Sequence, residues 1–127
     1  MANILCVDDD EDGLMSRKDV LQSDGHRVWG AHLATEGLQI FQAEKIDLVI
    51  VDYYLTDTTG LMVAEEIKQI NPEVPIIVLS GFGQLPGEAV GVAHRWILKG
   101  SGPKILLDAV NALTSSVKQE RRTETDA

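Results

Sequence analysis

Apolar residues fall in five short runs along the chain, and each run is bounded by Gly, Pro, Asp or Ser. Runs of this length between turn-forming residues are typical of β-strands. The first, third and fourth runs are continuously apolar instead of alternating with polar residues, which indicates strands covered by helices on both faces. The pattern predicts a parallel sheet of five strands, at residues 3–7, 27–31, 46–51, 75–79 and 95–98.

The segments between these strands carry helix signals. Residues 11–23 end at an Asp-Gly stop signal, and residues 61–70 end at an Asn-Pro pair. A further helix is predicted at 35–44, with Thr35 as its N-cap. The last helix is predicted to begin at Pro103, because proline suits the first helical turn. Its apolar positions recur at helical spacing: Ile105, Leu106, Ala109, Val110, Leu113 and Val117.

The segment between the fourth and fifth strands has a weak helix signal. Residues 82–94 contain Pro86 and three glycines, and each glycine costs roughly 1 kcal/mol relative to alanine in a helix. We therefore expect a short or irregular fourth helix. Strands alternating with helices through right-handed crossovers predict an open, doubly wound α/β sheet. Such sheets bind ligands outside the carboxyl ends of their strands, where the strand order reverses.

Composition limits the classes of function. A chain of 127 residues with 44% hydrophobic content can form one core. We expect one domain at 1–118, followed by a polar tail at 119–127 that has too few apolar residues to repay ordering. The net charge of −9 argues against a nucleic-acid partner, because such binding requires clustered Lys and Arg.

The remaining bulk features favour an intracellular protein. The single cysteine, Cys6, lies in an apolar run, which predicts a buried, reduced thiol. No apolar run approaches the length that spans a bilayer and no leader-like segment begins the chain, so a cytoplasmic location without a membrane partner is expected. The histidines lack the spacing of a zinc site.

Charged and hydroxyl residues collect where the predicted strands end. Each has an ordinary explanation as a helix cap, a turn residue or a solvated charge. Together they predict a site, because carboxylates about 4 Å apart repel by roughly 4 kcal/mol at an effective dielectric near 20 and must bind a proton or a cation. Mg²⁺ suits an all-oxygen cluster. The residues are Asp8, Asp9 and Asp10 after the first strand, Asp52 after the third, Ser80 after the fourth and Lys99 after the fifth.

Four sequence motifs in order give these residues a family context. They are "ILCVDDDED", "DLVIVDYYLTDTTG" with Gly60 at its end, "NPEVPIIVLSG" and "WILKG". The chain resembles the receiver domain of bacterial two-component response regulators over residues 3–117. This resemblance implies a flavodoxin-like, five-stranded (β/α)5 sheet with strand order 2-1-3-4-5.

The resemblance also implies roles for individual residues. Asp52 matches the phosphoacceptor. Asp8 and Asp9 match the acidic pair that holds Mg²⁺, while Asp10 is not a ligand. Asp52 and the backbone carbonyl of Tyr54 would be the remaining protein ligands of the metal.

Three further residues match groups that respond to the phosphoryl. Ser80 matches the hydroxyl that hydrogen-bonds it, Lys99 the cation that pairs with it, and Trp96 the aromatic side chain whose rotamer tracks activation. The phosphoryl donor implied is a phosphohistidine on a sensor histidine kinase or phosphotransfer protein. Water would later hydrolyse the acyl phosphate at the same site, so the protein would modify itself instead of turning over a free substrate.

Some positions depart from the family pattern. Thr56 stands where proline is usual, which predicts a looser loop after the phosphoacceptor strand. Lys99 is followed by Gly100 where a proline commonly fixes the turn. Tyr54 and Phe82 flank the site and are expected to slow dephosphorylation by shielding it from water. The family's usual dimerisation face includes the fourth helix, so a homodimer is one expected assembly and a short fourth helix would remodel that face.

Two other functions fit part of the pattern. A phosphohydrolase of the haloacid-dehalogenase type would use Asp8 as nucleophile and Asp10 as acid/base, but Glu11 and Asp12 follow the pair here. A receiver-like scaffold that binds its partner regardless of phosphorylation is the stronger alternative, because the loops around the site are altered.

Overall fold

The computed structural model describes residues 1–81 and 93–115. Residues 82–92, which hold most of the predicted irregular helix, and residues 116–127, which hold Val117 and the predicted tail, lie outside the described part. The elements in chain order are β1 (Asn3–Val7), α1 (Glu11–Ser23), β2 (Arg27–Ala31), α2 (Ala34–Ala43), β3 (Leu48–Asp52), α3 (Gly60–Ile70), β4 (Ile76–Ser80), β5 (Arg95–Leu98) and α4 (Pro103–Leu113).

The five strands form one parallel sheet in the order β2-β1-β3-β4-β5, which confirms the predicted fold class. The order reverses between β1 and β3, so the gap beyond their carboxyl ends is the expected ligand position. The register places Val7 beside Val51, so that Asp8 and Asp52 leave neighbouring strands at the same level.

Alternate strand residues face opposite sides of the sheet and form two cores. Leu5, Val7, Val49 and Val51 pack on one side with residues of α2 and α3, including Phe41. The residues between them, such as Ile4, Cys6, Leu48 and Ile50, pack on the other side with α1 and α4. Both faces are therefore covered, which is the physical reason for the continuous apolar runs.

Cys6 lies within the second core and is buried, as its sequence context predicts. Burial raises the pKa of its thiol to about 12, so the group stays protonated at neutral pH. Among the described residues, no helix is long and apolar enough to cross a membrane.

Three predicted elements have boundaries that are wrong by one or two residues. The third and fourth strands are Leu48–Asp52 and Ile76–Ser80, later than predicted, because the ladder continues to the polar residue at each carboxyl end. Helix α3 begins at Gly60 instead of residue 61, after an N-cap Thr59 whose hydroxyl accepts a hydrogen bond from the Met62 N–H.

The predicted N-cap of α2 is also wrong. Helix α2 begins at Ala34, and Thr35 already lies inside it. The N–H groups of Ala34 and Thr35, at the start of the helix, instead donate to the Asp57 carboxylate, at 3.1 and 3.3 Å. A residue from the loop after β3 thus supplies the cap that local sequence does not provide.

Candidate functional site

Three carboxylates meet beyond the carboxyl ends of β1 and β3. Asp8 and Asp9 follow β1, and Asp52 is the last residue of β3. One oxygen from each lies within 4.8 Å of the others. Asp8 is 1% exposed and Asp52 is 6% exposed, whereas Asp9 faces solvent. Two buried carboxylates at this spacing need nearby positive charge to remain ionised.

Lys99 provides part of that charge from the turn after β5. Its Nζ lies 3.0 Å from Asp52 Oδ2 and 3.2 Å from Asp8 Oδ2, so one ammonium bridges the two strands. The Lys99 N–H donates to the Ser80 carbonyl at 2.8 Å. Ser80 is buried at the end of β4, and the backbone bond ties the lysine to the strand that carries the serine.

Asp10 does not cap α1 with its side chain. It occupies the N-cap position of α1, but its side chain makes no capping hydrogen bond. Its N–H instead donates to Asp8 Oδ1 at 2.9 Å. The backbone of the acidic run therefore orients the Asp8 carboxylate, while the Asp10 side chain is exposed.

Arg17 is a member of the site that sequence analysis missed. Its guanidinium donates to Asp8 Oδ2 and forms an ion pair with it, and the Arg17 side chain is only 16% exposed. Burial lowers the pKa of Arg17, although the guanidinium remains charged at neutral pH. Helical spacing is the sequence feature that could have identified Arg17. Leu14 and Leu21 are buried on the sheet-facing side of α1, and Arg17 lies on that side between them.

The loop from β3 to α3 is held at two points. Thr56 Oγ1 donates to Asp9 Oδ2 at 2.9 Å, and Asp57 caps α2. Tyr54 and Thr59 also form an isolated antiparallel bridge that closes the base of the loop. From its position in the sequence, Thr56 was predicted to loosen this loop. Instead its hydroxyl connects the loop to the acidic pair.

The sequence and fold were compared with known proteins. The family model described as "Response regulator receiver domain" matches residues 4–111. The chain belongs to this family. Receiver domains are the phosphoacceptor domains of two-component systems, which act with histidine kinases or phosphotransfer proteins.

Curated relatives agree with this assignment. Transcriptional regulatory protein GlrR of Escherichia coli is 30% identical over 126 residues, which cover 98% of this chain but 28% of GlrR. Chemotaxis protein CheY of Thermotoga maritima is 30% identical over 115 residues, covering 87% of this chain and 96% of CheY. The receiver domain therefore spans less than a third of the first relative and nearly all of the second.

A solved structure supports the fold independently. Response regulator protein TrrA of Thermotoga maritima, in complex with Mg²⁺-BeF, has a TM-score of 0.84 and 29% identity. The match covers 89% of this chain and 99% of TrrA. Together with the strand order, it confirms the CheY-like flavodoxin fold of this receiver domain.

The donor set of the receiver site fits a hard divalent cation. Every ligand atom that Asp8, Asp9 and Asp52 offer is a carboxylate oxygen, with no nitrogen or sulfur in the cluster. Hard cations of the Mg²⁺ type bind oxygen ligands such as carboxylates, keep several waters and require no softer ligand. The exposed position of Asp9 leaves one side of the cluster open to solvent.

Three aromatic side chains close to the receiver site in sequence or in space contact one another. The Tyr53 ring contacts Tyr54 edge-to-face, with centroids 4.8 Å apart, and lies 6.1 Å from the half-buried Trp96 ring. Within residues 1–81 and 93–115, Trp96 Nε1 is the one buried side-chain polar atom without a hydrogen bond. Phe82, expected to flank the site, lies outside the described residues.

Glycine sets the turn that follows Lys99. Gly100 and Gly102 have φ of 93° and 97°, a left-handed conformation that other residues adopt at a cost. This turn borders a cavity of about 220 Å³ that is also lined by Arg17, Lys99 and Leu106. The missing proline is thus replaced by a glycine turn that leaves space beside the lysine.

Proposed function

We propose that Asp52 accepts a phosphoryl group from a phosphohistidine of a sensor histidine kinase or phosphotransfer protein. The observation that carries this proposal is the Lys99 ammonium, which lies 3.0 Å from Asp52 and 3.2 Å from Asp8 beside a third carboxylate. A cation fixed between two strand ends is the arrangement that an incoming phosphoryl anion requires.

Asp52 is suited to act as the nucleophile. Lys99 holds its Oδ2, and within the described residues no hydrogen bond to Oδ1 is found, so one oxygen is available for attack. Phosphoryl transfer has a loose transition state, so positioning and charge neutralisation contribute most of the catalysis. Lys99 neutralises the transferred group, and the Ser80 hydroxyl at the end of β4 would donate to it.

The proposed metal ligands are the carboxylates of Asp8, Asp9 and Asp52 and the backbone carbonyl of Tyr54. Bound there, Mg²⁺ would neutralise the oxygens of the transferred phosphoryl group. The chain supports this ligand set by holding Asp9 through Thr56 and Asp8 through the Asp10 N–H. The TrrA structure carries Mg²⁺-BeF in a receiver fold of the same shape.

Phosphorylation would add about −1.5 to −2 charges to Asp52. Lys99 and Ser80 would move toward the added group, and because the Lys99 N–H is bonded to Ser80, the turn after β5 would move with them. Trp96 precedes buried Ile97 in β5, and its ring would respond to that shift. We assign this switch to a cytoplasmic domain that comprises residues 1–118. Its output would be a changed surface for partner binding, including the face of a homodimer.

The test is Mg²⁺-dependent phosphorylation of wild-type protein and Asp52→Asn. Wild type incubated with a phosphohistidine donor or a small phosphodonor should gain one acid-stable, base-labile phosphoryl group by intact-mass measurement, and Asp52→Asn should gain none. Asp10→Asn is the matched control, because it removes a neighbouring carboxylate without a proposed role. Labelling of Asp52→Asn to the wild-type level would refute the assignment.

Beryllofluoride separates this function from the phosphorylation-independent scaffold. A working receiver should bind beryllofluoride with Mg²⁺ and change its tryptophan fluorescence, whereas a scaffold should not respond. Trp29 stacks under Arg27 at 4.7 Å and also contributes emission. A Trp29→Phe background therefore assigns the change to Trp96.

A further inference from the structure

Arg17 occupies a carboxylate that the proposed metal also needs. We propose, on the basis of the Mg²⁺-dependent function above, that Arg17 is a built-in counter-cation of the metal-free site. Its guanidinium neutralises Asp8 when no metal is bound and leaves that carboxylate when Mg²⁺ binds. Arg17 thereby lowers the Mg²⁺ affinity of this receiver domain.

The lone pairs of the Asp8 carboxylate are largely occupied by donors. Its Oδ2 accepts from Arg17 and lies 3.2 Å from Lys99 Nζ, and its Oδ1 accepts from the Asp10 N–H and, at 3.5 Å, from Lys99 Nζ. Each carboxylate oxygen offers about two acceptor positions, so both oxygens are largely occupied. Lys99 has a second partner in Asp52 and can stay there, which leaves Arg17 as the donor that must withdraw.

The net charge of the carboxylate cluster also favours release of Arg17 when Mg²⁺ binds. Three carboxylates face two cations, so the cluster carries about one net negative charge before any metal arrives. A dication added to this cluster would invert its sign, and in a largely buried site that is unfavourable. Release of Arg17 from Asp8 removes the excess positive charge at the position where the metal binds.

Arg17 stands at a position of α1 where a charged side chain is costly to bury. Arg17 lies between buried Leu14 and Leu21 on the sheet-facing side of α1, where an apolar residue would pack without desolvating a charge. In the described structure the arginine has one ion-pair partner, Asp8. Its presence on this face is therefore explained by the acidic site and not by packing.

A cavity beside α1 can receive the Arg17 side chain once it leaves Asp8. The cavity of about 220 Å³ between α1 and the glycine turn is lined by Arg17 itself. Val20 and Leu106 give it an apolar wall for the arginine stem, and Ser16 and Ser101 bring polar groups. Rotation about the side-chain bonds of Arg17 can move the guanidinium into this cavity without a change in the backbone.

The experiment measures Mg²⁺ affinity directly, by calorimetric titration and by thermal unfolding with and without Mg²⁺. Arg17→Met removes the charge and retains the stem length. It should bind Mg²⁺ about five- to tenfold more tightly than wild type, because no internal cation competes. Without Mg²⁺ the same variant should melt at a lower temperature than wild type, and saturating Mg²⁺ should narrow that difference.

Lys18→Met is the matched control. It removes the same charge from the adjacent residue of α1, whose side chain lies near Gly30 instead of the carboxylates. Its Mg²⁺ affinity should stay within about twofold of wild type, since the charge it removes has no carboxylate partner in the site. An equal gain in Lys18→Met and Arg17→Met would overturn the proposal, because a general loss of positive charge would then be the cause.

Wild-type protein supplies a second measurement that does not depend on a variant folding. The Arg17 Nε–H resonance, assigned with Arg17→Lys, should shift on addition of Mg²⁺ with the same dissociation constant as the calorimetry. A resonance that stays unmoved at saturating Mg²⁺ would overturn the proposal, as would an unchanged or weaker affinity in Arg17→Met. Absence of Mg²⁺ binding in all variants would instead refute the metal site itself, together with this proposal.

Discussion

Gly60 lies directly against the backbone of Asp52. A Cβ atom at position 60 would come within 2.4 Å of the Asp52 carbonyl oxygen, and the Gly60 N–H donates to the Tyr53 carbonyl at 2.6 Å. Helix α3 therefore begins in contact with the end of the strand that carries the proposed phosphoacceptor. Only a residue without a side chain permits this approach.

Gly60→Ala should accordingly distort β3 at Asp52. We expect a loss of unfolding free energy of about 1–3 kcal/mol, because a rigid backbone atom and not a flexible side chain blocks the added methyl. Urea denaturation measures this loss. Gly81→Ala is the control, since its added Cβ meets nothing within 4 Å, and equal destabilisation of the two variants would contradict the steric explanation.

Lys99→Met should slow phosphorylation of Asp52 by about 100-fold at saturating donor, because the fixed positive charge beside the transferred group is lost. Stopped-flow fluorescence or timed intact-mass measurement follows the rate. Lys104→Met is the control: this lysine is exposed and pairs with Asp108 on α4. A rate in Lys99→Met equal to that of Lys104→Met would contradict the role given to the Lys99 ammonium.

Thr56→Val should weaken Mg²⁺ binding by about three- to tenfold, because Asp9 loses the hydroxyl that orients its carboxylate. Thr56→Ser retains that hydroxyl and should stay near the wild-type affinity. Calorimetric titration with Mg²⁺ distinguishes the two variants. Equal weakening in both would contradict the role given to the hydroxyl, because Thr56→Ser retains it.

The Asp57 cap should make stability depend on pH. Hydrogen bonds from the α2 backbone, first that of Ala34, hold the pKa of Asp57 below its ordinary value, with Thr35 contributing as well. A depressed pKa gives stability that is fully present above the unfolded-state pKa and is lost as pH falls through the folded-state pKa.

Asp57→Ala should therefore be less stable than wild type by about 1 kcal/mol or less at pH 6, since the cap is exposed to solvent. The difference should shrink below about pH 4 as the wild-type carboxylate protonates. Denaturant titrations at pH 6 and below about pH 4 measure this difference in unfolding free energy. Asp57→Asn, which keeps a hydrogen-bond acceptor, is the control. A difference that grows on acidification would refute the cap.

Tyr54→Ala should shorten the lifetime of the acyl phosphate by about threefold, because a bulky ring beside the site restricts the approach of water. The Tyr54 side chain is 56% exposed and is supported by the edge-to-face contact with Tyr53. Loss of the phosphoryl mass after removal of donor gives the lifetime. Met62→Ala, an exposed residue in the first turn of α3, is the control. An unchanged lifetime in Tyr54→Ala would defeat the idea.

Sequence reasoning worked best where the signal was local. Continuous apolar runs identified the strands, and the glycine and proline positions identified most helix ends, because each depends on neighbouring residues. Thr35 shows the limit of such signals. Its sequence context favours an N-cap, but Asp57, 22 residues away, binds the same helix terminus and moves the start to Ala34.

The acidic residues and lysine of the site could also be predicted, since the carboxyl ends of parallel strands share one edge. The contacts that complete the site could not. Arg17 was missed because an arginine on a helix gives no signal of which carboxylate it will reach, and Thr56 was interpreted as a loosening substitution although its hydroxyl binds Asp9.

The sequence by itself determined the order of strands and helices, the buried faces and the set of strand-end carboxylates, because hydrophobic periodicity and turn chemistry act over a few residues. The tertiary structure decided which cations meet those carboxylates and which loop residues hold them. Those pairings depend on distances between segments that are far apart in the chain, and only the packed sheet and its helices fix such distances.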